Sequence, residues 1–237
     1  MPNIEKRRLL LLSTSTVYGQ GYLDYAEPEI RAFLGGIERV LFFPYAMFDK
    51  DGYTAAAKRR FEAMHLELQS LHQVNDKREA VSKAEAIFIG GGNTFRLLKV
   101  LYDAELIKAV RHRVESGMPY LGASAGANVA GPTIMTTNDM PIVEPMSLKA
   151  LNLINFQINP HYLDADPESK LMAETREQRL MQYLEENTTP VLGMREGAML
   201  RLDGGVLKLK GAAGARLFRR GQGPEEVKAG ADLSELL

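Results

Sequence analysis

Pro119-Tyr-Leu-Gly-Ala-Ser-Ala-Gly-Ala-Asn-Val-Ala130 decides how the rest of the chain is read. Tyr120-Leu121 is a short apolar run, Gly122 to Gly126 is built from the smallest side chains, and Ala125 to Ala130 is compatible with a helix. A strand that turns sharply into a helix is the repeating unit of a parallel α/β sheet. Ser124 stands in the middle of that turn, in the spacing Gly122-x-Ser124-x-Gly126. Such spacing can hold a serine on a tight strand-to-helix turn, where small neighbours let a carbonyl approach the hydroxyl. The helix that follows aims free N–H groups at any anion formed there. The same residues also fit an ordinary turn with a serine N-cap, and the spacing arises often by chance.

Upstream, Ala86-Ile-Phe-Ile89 is a buried strand followed at once by Gly90-Gly-Gly-Asn-Thr-Phe95. Three glycines between strand and helix let the backbone come close to a ligand, yet the pattern is neither a dinucleotide fingerprint nor a Walker loop. It is either a plain connection, with Asn93-Thr94 capping the next helix, or a second wall of an oxyanion site opposite Ser124. Leu9-Leu-Leu-Leu12 reads as a strand covered on both faces. The polar loop Ser13-Thr-Ser-Thr16 leaves its C-terminal end, where open α/β sheets tend to bind ligands. Between these segments the periodicity predicts helices over 26–34, 53–64 and 77–84 and strands over 39–43 and 66–74. A helix over 105–116 then delivers the chain to Pro119. The alternation predicts a doubly wound, mostly parallel α/β sheet with both glycine-rich turns on its C-terminal edge.

Downstream, Pro132 to Pro145 carries three prolines and no period, and reads as a long loop. Asp139 within it is a candidate functional acid or simply an exposed loop carboxylate. Phe156-Gln-Ile-Asn-Pro-His-Tyr162 is an alternating strand with His161 at its exit. A long helix over 169–187 places Met172, Arg176, Leu180 and Tyr183 on one stripe. A guanidinium in such a stripe either snorkels to water or meets a buried carboxylate. Pro190-Val-Leu-Gly193 is another strand, with Glu196 at its exit. Segments 198–202, 206–210 and 215–219 alternate and read as C-terminal antiparallel hairpins on one edge. With no internal repeat or linker, residues 1–237 are expected to form a single domain.

Bulk composition narrows the chemistry. Lys+Arg 29 against Asp+Glu 30 leaves a net charge of −1, so nothing in the balance suggests a nucleic-acid or membrane surface. The absence of cysteine excludes disulfides, thiolate metal sites and a cysteine nucleophile together. His65, His72 and His112 have no spaced partner that would make a metal site and read as surface or packing histidines. The basic N-terminal residues precede only four leucines, too short an apolar core for a signal peptide, and a cytoplasmic location is the expectation.

Three strand exits thus carry, in chain order, Ser124, His161 and Glu196. A serine needs a neighbouring base to attack a carbonyl near neutral pH. Histidine is that base most often, and a carboxylate then fixes its tautomer. If the strands share one parallel sheet, their exits converge on a single crevice. The acid follows the histidine here, unlike in α/β-hydrolases, but the geometry recurs with several chain orders.

Several segments together resemble one known family. Ile89-Gly-Gly-Gly-Asn-Thr-Phe95, Gly122-Ala-Ser-Ala-Gly-Ala-Asn128, Thr136-Thr-Asn-Asp-Met-Pro-Ile-Val143, Gln157-Ile-Asn-Pro-His161 and Glu174-Thr-Arg-Glu-Gln-Arg179 look, in order, like peptidase E. This α-aspartyl dipeptidase family comprises serine peptidases on a glutamine-amidotransferase-like, flavodoxin-like scaffold. The resemblance implies hydrolysis of Asp-Xaa dipeptides without metal or cofactor, on a small-molecule partner, by a monomer or homodimer. By motif it makes Ser124 the nucleophile, His161 the base and Glu196 the orienting acid. Asp139 would compete for that last role or bind the substrate amine. Arg176 would pair with the aspartyl side chain, and the N–H groups of Ala125 and of Gly91 or Gly92 would form an oxyanion hole. The chain departs from the family pattern at Ala123 and Met199, where aromatics often stand, which bears on pocket shape and substrate preference. A cyanophycinase-like β-aspartyl peptidase is the nearest alternative, and a non-catalytic binding module on the same scaffold is another.

Overall fold

In the computed structural model, which describes residues 4–168, 170 and 172–237, Leu9–Leu12 (β1) is buried along its whole length. Its side chains divide the interior. Leu9 and Leu11 pack with Ile87, Ile89, Leu97 and Val110, while Leu10 and Leu12 pack with Ile30, Phe33, Phe42 and Phe61. Side chains alternate across a strand, so a run of four leucines serves both faces of a sheet covered on each side. Helices Glu27–Leu34 (α1) and Lys50–Ala63 (α2) cover the second face. Lys77–Lys83 (α3), Thr94–Asp103 (α4) and Leu106–Glu115 (α5) cover the first.

Five parallel strands form the body of the main sheet: Glu67–Ser70 (β3), Arg39–Phe43 (β2), Ile87–Ile89 (β4), Tyr120–Ala123 (β5) and β1, in that order. The chain runs outward through β2 and β3 and returns to insert β4 and β5 between β2 and β1. That return sets β4 beside β5, with Ile89 opposite Gly122. The glycine turn after β4 and the Ser124 turn after β5 therefore lie side by side at one sheet edge, as expected. Two antiparallel strands, Ala198–Asp203 (β8) and Val206–Gly211 (β9), extend the sheet beyond β1 to seven strands.

The chain corrects the sequence reading in four places. The hairpin expected on one edge is there as β8–β9, but Ala215–Phe218 (β10) leaves it for a second sheet. That sheet has four strands in the order β11-β10-β7-β6, formed by Glu225–Val227 (β11), β10, Val191–Met194 (β7) and Gln157–Asn159 (β6). Strand β6 pairs parallel with β7, and β10 closes the other edge of β7, which would otherwise present a buried apolar strand with unpaired amides. The exits carrying His161 and Glu196 thus belong to this small sheet and not to the sheet that carries Ser124. Helix α2 starts earlier than predicted because the Asp49 side chain accepts from Gly52 N and caps it. Strand β3 is shorter, giving way to a 3-10 turn at Leu71–Gln73. The helix expected over 169–187 is Arg176–Glu186 (α7), started by a capping box between Thr175 and Gln178. Ser169 and Leu171 lie outside the described residues, and Met172 precedes the helix, 100% exposed. Arg176 therefore heads the helix instead of interrupting an apolar stripe. Among the described residues no helix is long and apolar enough to cross a membrane.

Candidate active site

Close packing builds the turn after β5. Ser124 has φ 51° and ψ −106°, a conformation a side-chain-bearing residue rarely adopts. Its N–H donates to the Leu12 carbonyl at 2.9 Å, and its own carbonyl accepts from Asn128 N–H at 2.9 Å, so both sides of the turn are pinned. Helix Ala125–Asn128 (α6) starts at once and lies so close to β4 that a Cβ on Gly126 would stand 2.0 Å from the Ile89 carbonyl oxygen. Gly91 approaches from the neighbouring turn. A Cβ there would sit 3.0 Å from Ser124 Cβ and 3.7 Å from its hydroxyl. The Ile89 carbonyl thus requires glycine at 126, and a side chain at 91 would crowd Ser124.

The small sheet delivers the other two groups. His161 follows β6 with φ 52°, again in the left-handed region. Its N–H donates to Ser13 Oγ at 2.9 Å, and Asn138 Nδ2 donates to the carbonyl of Pro160, one residue before it, at 2.6 Å. The imidazole Nε2 lies 2.9 Å from Ser124 Oγ, and Nδ1 lies 2.8 Å from Glu196 Oε1. An ionised Glu196 can only accept, so Nδ1 carries the proton and Nε2 is left to accept from the serine hydroxyl. The His161 and Glu196 side chains are 39% and 55% exposed, so the relay opens to solvent on the acid's side. Tyr25 borders Glu196. Its hydroxyl donates to the Thr14 carbonyl at 2.7 Å, and burial foremost, with the Glu196 charge adding to it, raises its pKa well above the usual phenol value. Tyr25 stays a neutral donor.

Asp139 takes a different place. Its Oδ2 accepts from Thr94 N at 2.7 Å and from Thr94 Oγ1 at 2.6 Å, so it sits on the first turn of α4 and not on the histidine. Arg176 is half-buried and has neither a hydrogen bond nor an ion pair to any of the described residues. Burial first, then the charge of Arg179, lowers its pKa from the ordinary guanidinium value, and the charge of Asp139 opposes them. A guanidinium remains charged under such a shift. Ala125 occupies the first position of α6 directly after Ser124, and a Cβ on Gly92 would stand 2.6 Å from the Ala46 carbonyl oxygen.

Sequence reasoning missed Ser13. Fully buried at the end of β1, it donates to the Met194 carbonyl at 2.7 Å while accepting from His161 N–H. One hydroxyl thus ties the large sheet to the exits of both β6 and β7. The polar composition of residues 13–16 marked a loop and gave no signal for that particular bond. Asn138, Asn159 and Thr136 form a companion network: Asn159 Nδ2 donates to Thr136 O and Asn138 Oδ1, and Thr136 Oγ1 to Ile158 O. It fastens the loop that carries Asp139 to the strand that carries His161.

A serine hydroxyl bonded to an imidazole, itself bonded to a carboxylate, can lose its proton to the ring as the oxygen attacks a carbonyl. Among the described residues no group of three or more His, Asp and Glu is placed to hold a metal ion.

Known proteins carry the same pattern along almost the whole chain. The sequence profile of Peptidase family S51 matches residues 9–210. A peptidase E of Streptomyces coelicolor is 51% identical over 229 residues, which is 97% of this chain and 94% of that one. A probable alpha-aspartyl dipeptidase of Drosophila melanogaster is 44% identical over 98% of both. Among solved structures, a putative peptidase E from Listeria monocytogenes superposes with a TM-score of 0.67 at 22% identity, covering 87% of this chain and 99% of its own. A peptidase from an acI-B1 actinobacterium superposes with a TM-score of 0.72 at 17% identity, over 96% of each chain. At such identities these two structures bear on the fold.

Proposed function

Because this chain belongs to Peptidase family S51 and is a serine peptidase, we propose that it hydrolyses dipeptides with an N-terminal L-aspartate, Asp-Xaa, through an acyl-enzyme on Ser124. His161 Nε2 takes the hydroxyl proton as Ser124 Oγ bonds to the aspartyl carbonyl carbon. Glu196 holds the ring in the required tautomer and stabilises the imidazolium. The tetrahedral oxyanion faces Ala125 N–H and an N–H of the Gly91–Gly92 turn. Collapse of the intermediate breaks the peptide C–N bond, and His161 returns the proton to the departing amine. A water, deprotonated by the same ring, then adds to the ester carbonyl and frees aspartate and Ser124.

Arg176 is the observation that carries the choice of substrate. A half-buried guanidinium with no acceptor among the described residues, near enough to Asp139 to feel its charge, presents one positive and one negative group together. An N-terminal aspartyl residue offers the complement, a side-chain carboxylate for Arg176 and an α-amine for Asp139. Bidentate recognition of a carboxylate also explains why arginine and not lysine stands there.

Incubation of the purified protein with Asp-Leu, Asn-Leu and β-Asp-Arg tests the reading. Asp-Leu is expected to turn over, with the neutral isostere Asn-Leu far slower. Arg176→Ala is expected to cost about 2–5 kcal/mol of transition-state stabilisation on Asp-Leu, roughly 30-fold to several-thousand-fold in kcat/KM. Turnover of β-Asp-Arg without turnover of Asp-Leu refutes the proposal, and equal rates on Asp-Leu and Asn-Leu remove the role of Arg176.

A further inference from the structure

The acyl side of the cleft has charged groups to read an aspartyl residue, and the other side has an arginine of its own. Arg96 lies on the first turn of α4, two residues beyond Thr94, so the two side chains leave the helix roughly 200° apart. Thr94 and Asn93 reach the loop that carries Asp139: Asp139 bonds to Thr94, and Asn93 Nδ2 donates to the Met140 carbonyl at 2.9 Å. Arg96 reaches the opposite loop, which follows β2. Its Nη1 donates to the Ala46 carbonyl at 3.2 Å, and its guanidinium carbon stands 5.8 Å from the centre of the Phe48 ring.

That Ala46 carbonyl is part of the catalytic neighbourhood. It also accepts from Asn93 N–H at 2.9 Å, and a Cβ on Gly92 would lie 2.6 Å from it. The glycine turn therefore touches Ser124 at Gly91 and the Arg96 anchor at Gly92, one residue apart. The loop that carries Asp139 meets α4 at Thr94, with Arg176 near enough to feel its charge, while Arg96 and Phe48 meet the loop after β2.

Arg96 has no carboxylate partner among the described residues. One carbonyl occupies a single N–H of its five donors, which leaves a planar fork available. Phe48 is 84% exposed, so the cation rests on a ring that otherwise packs against little. A dipeptide bound with its aspartyl end toward Arg176 must send its other end across the glycine turn. There the terminal carboxylate lies only two covalent bonds beyond the scissile nitrogen.

We propose that Arg96 receives the C-terminal carboxylate of the dipeptide and is the residue that restricts the enzyme to dipeptides. This rests on the Asp-Xaa reading and adds to it a second carboxylate site, on the leaving-group side. A tripeptide moves the carboxylate out by a further residue, about 3.6 Å, beyond the reach of a side chain anchored at Ala46. An amide at the C-terminus removes the charge and leaves the shape.

The test compares Asp-Leu with Asp-Leu-amide in wild type, Arg96→Met and Arg96→Lys. Wild type is expected to favour the free carboxylate by about tenfold to hundredfold in kcat/KM, chiefly through KM. Arg96→Met should lower Asp-Leu to the level of the amide and leave the amide within about twofold of wild type. The unchanged amide rate shows that the variant is folded and its serine competent. Arg96→Lys should restore part of the preference, since it keeps the charge and loses the fork. A wild type that treats the two substrates alike, or an Arg96→Met that keeps the preference, overturns the proposal. A wild type active on the amide but inert on the free dipeptide overturns it as well. Inactivity on every Asp-Xaa substrate, with activity on β-Asp-Arg, overturns instead the reading beneath it and this assignment with it.

Discussion

Ser124 rises from the seven-stranded sheet, whereas His161 and Glu196 hang from the four-stranded one, and the two sheets position their residues by different physics. On the large-sheet side Ser124, the proposed nucleophile, is fixed by contact. Its neighbours are glycines because backbone atoms already occupy the space a side chain would need, and main-chain bonds at 2.9 Å hold both ends of the turn. On the small-sheet side His161 and Glu196, the proposed base and acid, are fixed by polar side chains reaching main chain, Ser13 and Asn138 above all. Packed backbone allows almost no intermediate positions, while single hydrogen bonds can be removed one at a time. Damage to the first side should abolish turnover, and damage to the second should grade it.

The largest effect is expected at the nucleophile. Ser124→Ala should reduce kcat on Asp-Leu roughly ten-thousand-fold or more with thermal unfolding unchanged; retained turnover would show that another group attacks. Glu196→Gln should cost less, roughly 100- to 1,000-fold in kcat. The amide keeps a bond to the ring but favours the wrong tautomer, and the half-exposed side chain lets water replace part of the lost charge. Asp139→Asn provides the contrast, since Asp139 bonds to Thr94 and is proposed to meet the substrate amine. It should act mainly on KM. A kcat loss in Asp139→Asn that matches the one in Glu196→Gln would reverse the assignment of the two acids.

The same division explains what was legible in the sequence. Leu9–Leu12, Ile87–Ile89 and Tyr120–Ala123 announce themselves because a parallel strand covered on both faces is an unbroken apolar run. The Gly-x-Ser-x-Gly spacing is local and carries its own steric reason. Strands β6 and β7 look no different in sequence from those of the main sheet. They pair with each other, and β7 pairs on its other edge with β10, more than twenty residues later in the chain. Ser13 is less legible still, because its partners Met194 and His161 lie 181 and 148 residues away. The start of α7 has a local signal, since Thr175-x-x-Gln178 is a capping box, whereas the apolar stripe from Met172 extends past it.

Ser13→Ala probes the seam itself. The change leaves the His161 N–H and the Met194 carbonyl without their shared partner, inside a site where Ser13 is fully buried. The expected cost is about 1–3 kcal/mol of stability in urea unfolding. A purely structural bond would stop there. As a positioning residue, Ser13 should in addition lower kcat about tenfold at nearly unchanged KM, because only the base shifts against the nucleophile. Ser13→Thr, which keeps the hydroxyl, should recover most of that loss. Unchanged kcat in a destabilised alanine variant would mean that the two sheets hold their register without it.

The smallest effect belongs to the charges behind Glu196. Arg195 Nε and Nη2 donate to Asp164 at 2.6 and 2.9 Å, and Nη1 and Nη2 to Glu226 at 2.6 and 2.9 Å. This joins the loop after His161 to β11 through the residue next to the acid. Hydrogen bonding to Arg195 is the main reason both carboxylates titrate below their ordinary values. A carboxylate with a lowered folded pKa adds stability that is complete above its unfolded value, about 4, and is lost as pH falls through the folded one. Wild type should therefore exceed Arg195→Met in melting temperature at pH 7, and the gap should close on acidification below about pH 4. Both carboxylates are near half-exposed, so the gap should also shrink as salt is raised. A gap that persists unchanged to about pH 3 would mean that the arginine acts through its packing, and the small sheet would then be held by contact, as the large one is.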